Sequence, residues 1–214
     1  MNILFVTVGT SSITNPSIGR PPAGRDNTTL QGDMRLYRED KRKDFGRWGK
    51  LFQDLVAAHV RFWEMPEEYV TNPYNALQSS AELTSTYSLF REMGTGFSMD
   101  KIVLLPTDTP EGLMASRVVL EVMKSPQYGI RVAKDRIIEE PIPGLERDMG
   151  KLKSGLLEAI GEHSFSHHDR RFVNVSGGFK GTSLVFGRIS KDHNLEIYYQ
   201  HETLHKPIHM REIW

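Results

Sequence analysis

Short blocks of consecutive apolar residues alternate along this chain with longer stretches in which apolar side chains recur at helical spacing, and that alternation predicts strands and helices in turn. Asn2–Val8 reads as a buried parallel strand, apolar, β-branched and stopped by Gly9. Lys101–Leu105, Phe172–Val175 and Leu195–Tyr199 have the same character, and a weaker run lies at either Ile130–Ala133 or Ile137–Glu139. Between them, Trp48–Trp63 carries Leu51, Phe52, Leu55, Val56 and Phe62 in helical register. Glu111–Lys124 does the same with Leu113, Val118, Val119, Val122 and Met123, and Leu145–Ile160 with Leu152, Leu156 and Ile160. Strands alternating with helices imply an α/β, Rossmann-like fold: a mainly parallel sheet with helices on both faces.

One stretch breaks the rhythm. From about 15 to 50 the chain is rich in Gly, Pro, Asn and charge and keeps no apolar period, so it reads as a loop or insertion within a single domain spanning 1–205, with 206–214 as a C-terminal tail. The segment holds Arg20, Arg25, Arg35, Arg38, Lys41, Arg42, Lys43 and Arg47. Such a run is either a solvated surface or a lid over an anionic ligand.

Composition narrows the function classes. Lys+Arg and Asp+Glu both total 27 in 214 residues. A zero formal charge argues against coating a long nucleic acid through many phosphate contacts, while leaving room for a small anionic ligand. The absence of cysteine excludes disulfides, thiolate metal sites and a cysteine nucleophile. No apolar stretch reaches the ~20 residues that span a bilayer, and the first strand lacks the basic leader of a signal peptide, so no membrane is expected and the cytoplasm is the expected compartment.

Three motifs leave strands at the edge where open α/β sheets bind ligands. In the first, Gly9 allows close backbone approach and Thr10, Ser11 and Ser12 offer hydroxyl and amide donors, although small polar residues also cap helices. The second runs from Asn174 through Ser176, Gly177, Gly178, Phe179, Lys180 and Gly181 to Thr182. Successive glycines permit a nest of N–H groups, a helix N-terminus adds partial positive charge and Lys180 a full one, which together build an anion site. It has neither P-loop nor dinucleotide-fingerprint spacing. The third, Leu104 to Gly112, presents Thr107 and Asp108 at the same edge, with Thr109 and Pro110 as an ordinary helix start. Ser79, Ser80 and Ala81 open a further helix with Glu82 in its first turn. The spacing of Arg188 and His193 matches a ribonuclease signature but lies before the last core strand, with no separate helical domain to host it. The histidines are joined by no carboxylate at metal spacing, and no metal or other cofactor is expected.

Taken in order, Val8 to Ser11, Ser80 to Leu83, Leu104 to Gly112, Asp148 before a Leu-rich helix, Asn174 to Gly181 and Tyr198 to Glu202 resemble the CARF family, the CRISPR-associated Rossmann-fold domains, and within it the stand-alone ring nucleases. The resemblance implies a homodimer whose paired domains bind a cyclic oligoadenylate. It implies metal-independent opening of the ring to linear products with 2′,3′-cyclic phosphate ends, which switches off type III CRISPR signalling. It places the active serine on Ser11, with Ser12 as the alternative, and the active lysine on Lys180. Ligand contacts would fall on Gly9, Thr10, Ser12, Glu82, Thr107, Asp108, Thr109, Gly177, Gly178, Phe179, Gly181 and Thr182. The rival expectation is a non-catalytic module that senses or sequesters the ring and acts through a partner.

Overall fold

A computed structural model describes residues 1–15, 17–18, 28–40, 44–72, 75, 78–143, 148–163, 166, 168–178, 180–201 and 206–210, with only the backbone of Phe45 and Lys180. Six strands form one sheet in the order β3-β2-β1-β4-β5-β6. They are β1 (Asn2–Val8), β2 (Lys101–Pro106), β3 (Ile137–Glu139), β4 (Arg170–Asn174), β5 (Leu195–Tyr199) and β6 (Ile208–His209). The first five run parallel, and β6 pairs antiparallel with β5. Between the two possible weaker strands the structure selects Ile137–Glu139, which extends the sheet beyond β2.

Successive side chains of β1 enter opposite layers, as a pleated strand requires. Leu4, Val6 and Val8 join one core, and Ile3 and Phe5 the other. The first core is closed by α2 (Thr28–Glu39), α3 (Phe45–Trp63), α5 (Ala81–Met93) and α6 (Pro110–Lys124). The second is closed by α7 (Met149–His163) and α8 (Lys180–Ile189). Two short α-helices, α1 (Ser11–Thr14) and α4 (Glu67–Val70), and two 3-10 turns, Pro126–Tyr128 and Lys134–Arg136, lie among the connections. Helices on both faces of a mainly parallel sheet make this the Rossmann-like α/β fold that the alternation predicts. Among the described residues no helix is long and apolar enough to cross a membrane.

Two segments depart from the sequence reading. The stretch from about 15 to 50, expected as a loop, contains α2, and α3 already starts at Phe45. Only Met34 and Tyr37 of α2 are buried. A helix that buries one narrow stripe leaves little apolar period to detect. Its placement comes from tertiary contacts instead: the ring of Tyr37 meets Trp48 edge-on at 5.5 Å, and its hydroxyl donates to the Pro110 carbonyl at 3.3 Å. Burial, then the nearby Glu111 and Asp40, push the Tyr37 phenol up to about 12, so it stays a neutral donor. The expected tail likewise supplies β6, a two-residue strand too short to carry a pattern. The helix expected over Leu145–Ile160 is described from Met149 to His163, with Asp148 accepting from Gly150 N at 2.8 Å; residues 144–147 lie outside the described set.

Candidate functional site

After β1 the chain builds β2 and β3 on one side of it, then crosses to build β4 and β5 on the other. The carboxyl ends of β1 and β4 therefore border the topological switch point, where an open α/β sheet admits ligands. The turns following these two strands meet there, and the start of α5 reaches both.

Glu82 is the link. It sits in the first turn of α5, whose N-cap Ser80 accepts from Leu83 N at 3.2 Å. Its carboxylate is 0% exposed. One oxygen accepts from Gly9 N at 2.8 Å and the other from the Ser11 hydroxyl at 2.6 Å. The helix N-terminus adds favourable partial charge to a group that burial would otherwise penalise. Glu82 was expected to touch ligand. It has no exposed surface, and its carboxylate holds the protein's own turn through Gly9 N and Ser11 Oγ.

The glycines answer first to this packing. A Cβ on Gly177 would overlap the side chain of Glu82, and one on Gly9 would come within 2.8 Å of Gly178 N. Gly178 has φ 87°, the left-handed region that glycine occupies without penalty. The β1 and β4 turns thus interlock backbone against backbone. Thr7 Oγ1 reaches the carbonyls of Gly177 and Asn174, while Asn174 Nδ2 donates to Ser85 Oγ at 2.8 Å and Thr86 Oγ1 at 3.0 Å. Periodicity gives no sign of this polar strut between β4 and α5.

The two candidate serines part company. Ser12 is 0% exposed and donates to the Ala115 carbonyl of α6 at 3.1 Å, facing the interior. Ser11 is half-buried at the turn; it donates to Glu82 and accepts from Ala81 N at 3.2 Å. Burial sorts the other expected contacts in the same way. Thr10 and Asp108 are exposed, and Gly9, Thr109 and Gly178 are partly so. Thr107, Gly177, Gly181 and Thr182 are buried. Thr109 caps α6 by accepting from Gly112 N at 3.1 Å and shares a hydrogen bond with Thr107 at 2.8 Å, so this motif closes a helix start as its sequence suggests. Lys180 is the first residue of α8; its side chain, with all of Phe179 and Glu202, lies outside the described residues.

Behind Ser12, His59 is fully buried, with Nε2 donating to the Ser12 carbonyl at 3.0 Å. Burial pulls its pKa down to about 4, against a smaller raising effect of that hydrogen bond. An unfolded histidine takes its proton near pH 6.5 whereas the folded one resists until about 4. Within that window the unfolded chain binds more protons, so stability falls as pH falls. The expected loss is about 3 kcal/mol across the window. Urea unfolding at several pH values should show it, and His59→Gln, which can keep the donor to Ser12, should flatten the slope. An equally steep slope in the variant would reject this assignment.

One grouping escaped the sequence spacing. Glu140, Glu162 and His163 bring potential ligand atoms within 4.8 Å of one another. Lys101 donates to His163 Nδ1 at 2.9 Å, which leaves Nε2–H facing Glu140 at 3.6 Å, too long for a hydrogen bond. Desolvation and then the lysine lower the His163 pKa. The carboxylates come from the segment after β3 and from α7, a meeting that only the fold arranges.

Residues 77–212, more than half of the chain, match the model of a family described as CRISPR-associated protein (Cas_APE2256). The match takes in α5 and Glu82, the β2 and β4 turns and the start of α8, and leaves out β1 and its turn. No curated protein matches the sequence.

Proposed function

This chain belongs to the CRISPR-associated family Cas_APE2256, and on that footing we propose that it is a ring nuclease that binds a cyclic oligoadenylate, cyclic tetra-adenylate in the first instance, and opens it. The observation that carries the reading is the hydroxyl of half-buried Ser11, held by Glu82 and Ala81 N at the sheet's switch point, next to the glycine turn that leads towards Lys180.

The ring brings its own nucleophile. A ribose 2′-hydroxyl gives up its proton to solvent as its oxygen attacks the adjacent phosphorus, the P–O5′ bond breaks, the 5′-oxygen of the next nucleotide takes up a proton, and a 2′,3′-cyclic phosphate remains. The protein's task is to turn the sugar until attack is in line, and positioning of this kind supplies several kcal/mol. Ser11 would orient the sugar. Lys180 and the N–H groups opening α8 would meet the negative charge that grows on the phosphate oxygens, where one placed donor is commonly worth a factor of ~10²–10³. Such a reaction would withdraw the messenger and switch off type III CRISPR signalling.

Incubating the purified protein with cyclic tetra-adenylate in EDTA and following linear product tests the proposal directly. Cleavage should persist at an unchanged rate. Loss of activity that added divalent metal restores would overturn the internal-nucleophile route, and binding without product would favour a sensing or sequestering role. A pseudo-symmetric ring presents the same groups twice, so a two-fold homodimer is the expected assembly. Sedimentation with and without ligand should report twice the chain mass, and a monomer under both conditions would count against a shared pocket.

A further inference from the structure

Ser11 Oγ has one hydrogen and two lone pairs. The hydrogen goes to Glu82 at 2.6 Å, and Ala81 N–H occupies one lone pair at 3.2 Å. What remains for a ligand is a single acceptor position on the oxygen of a half-buried residue. Turning the hydroxyl outward would strand an oxygen of a carboxylate that is 0% exposed, the costly case for a buried polar group. Glu82 itself has no freedom to follow, because its other oxygen holds Gly9 N and its stem lies against Gly177.

We propose that Glu82 is a positioning residue that locks the direction of the Ser11 hydroxyl, so that this point of the site takes a hydrogen-bond donor from the ligand, the ribose 2′-hydroxyl, and turns away phosphate oxygen. The inference rests on the ring reading above and sharpens it. Ser11 selects ribose over a sugar with no 2′ donor, and the 2′-oxygen is turned through its own proton rather than pulled by a serine proton. A phosphate oxygen has no hydrogen to offer, and would place its charge against a lone pair backed by a carboxylate.

Two measurements test this. The first needs no ligand: in the free wild-type protein, nuclear magnetic resonance should show a slowly exchanging Ser11 hydroxyl proton, absent in Ser11→Ala and in Glu82→Gln. In the glutamine variant the amide oxygen can keep Gly9 N while the amide nitrogen faces Ser11, which reverses the hydroxyl. A freely exchanging hydroxyl in the wild type overturns the lock. The second compares binding of two uncleavable rings, the 2′-amino and 2′-fluoro forms of cyclic tetra-adenylate, at mildly alkaline pH where the amine is neutral. The amine donates and the fluorine cannot. Wild type should prefer the amino ring about tenfold, the usual scale of one hydrogen bond, and both variants should lose that preference. Equal binding by the wild type, or a preference that survives in Glu82→Gln, overturns the proposal. Failure of either ring to bind any form of the protein would instead sink the cyclic oligoadenylate reading, with the hydroxyl signal still deciding the role of Glu82. Should Glu82→Gln fail to fold, the wild-type proton signal and the Ser11→Ala comparison decide alone.

Discussion

Lys180→Ala is expected to slow ring opening by ~10² or more at saturating cyclic tetra-adenylate while weakening binding far less. The asymmetry follows from where charge develops. The ground-state ring already carries its phosphate charges, and a lysine that only attracted them would lower affinity and subsaturating rate together, leaving the saturating rate near wild type. A lysine that meets the extra charge on the pentacoordinate phosphorus acts mainly in the transition state. The proposal gives Lys180 the second role; the residue opens α8, one residue after the Gly177–Gly178 turn that follows β4 at the switch point. Single-turnover cleavage, paired with binding of an uncleavable analogue, separates the cases. An unchanged saturating rate would remove Lys180 from the chemistry. Ser11→Ala should show the same asymmetry if Ser11 aligns the 2′-hydroxyl.

The second large effect is structural. Gly177→Ala is expected to lower the melting temperature by on the order of 10 °C and to abolish cleavage at temperatures where the wild type is active. The added methyl would overlap the Glu82 side chain, which is buried and tied to Gly9 and Ser11. Overpacking alone costs about 1–3 kcal/mol. If Glu82 yields instead, it leaves buried hydrogen-bonding groups unpaired at about another 1–3 kcal/mol. Gly161→Ala is the matched control, since a methyl there meets nothing within 4 Å and the residue lies inside α7. That change should leave stability equal or gain up to about 1 kcal/mol from helix propensity. Calorimetry on the pair would reject the interlock if Gly177→Ala melted with the wild type.

The contrast between these two glycines shows what was legible in the chain. Gly9, Gly177 and Gly178 stand out in the sequence because they follow apolar runs, and close approach is the correct general reason for a glycine there. Which surface makes the approach is another matter: here it is turn against turn and Glu82, not ligand alone. Ser11 and Ser12 are indistinguishable by type and adjacent in order. The fold turns one inward to the Ala115 carbonyl and the other to the switch point.

Local pattern was enough for the Rossmann-like class, four of the strands, the helices over Trp48–Trp63 and Glu111–Lys124, and the strand-end location of the polar motifs, since apolar period and strand-stopping glycines are local properties. It did not determine α2, β6, the Glu140–Glu162–His163 meeting or the role of Glu82. Those depend on partners far away in the chain: Tyr37 on Pro110, β6 on β5, Glu82 on Gly9 and Gly177. A buried carboxylate in the first turn of a helix looks like a solvated cap until another turn closes over it, and that closure is created only when β1 and β4 come to lie side by side.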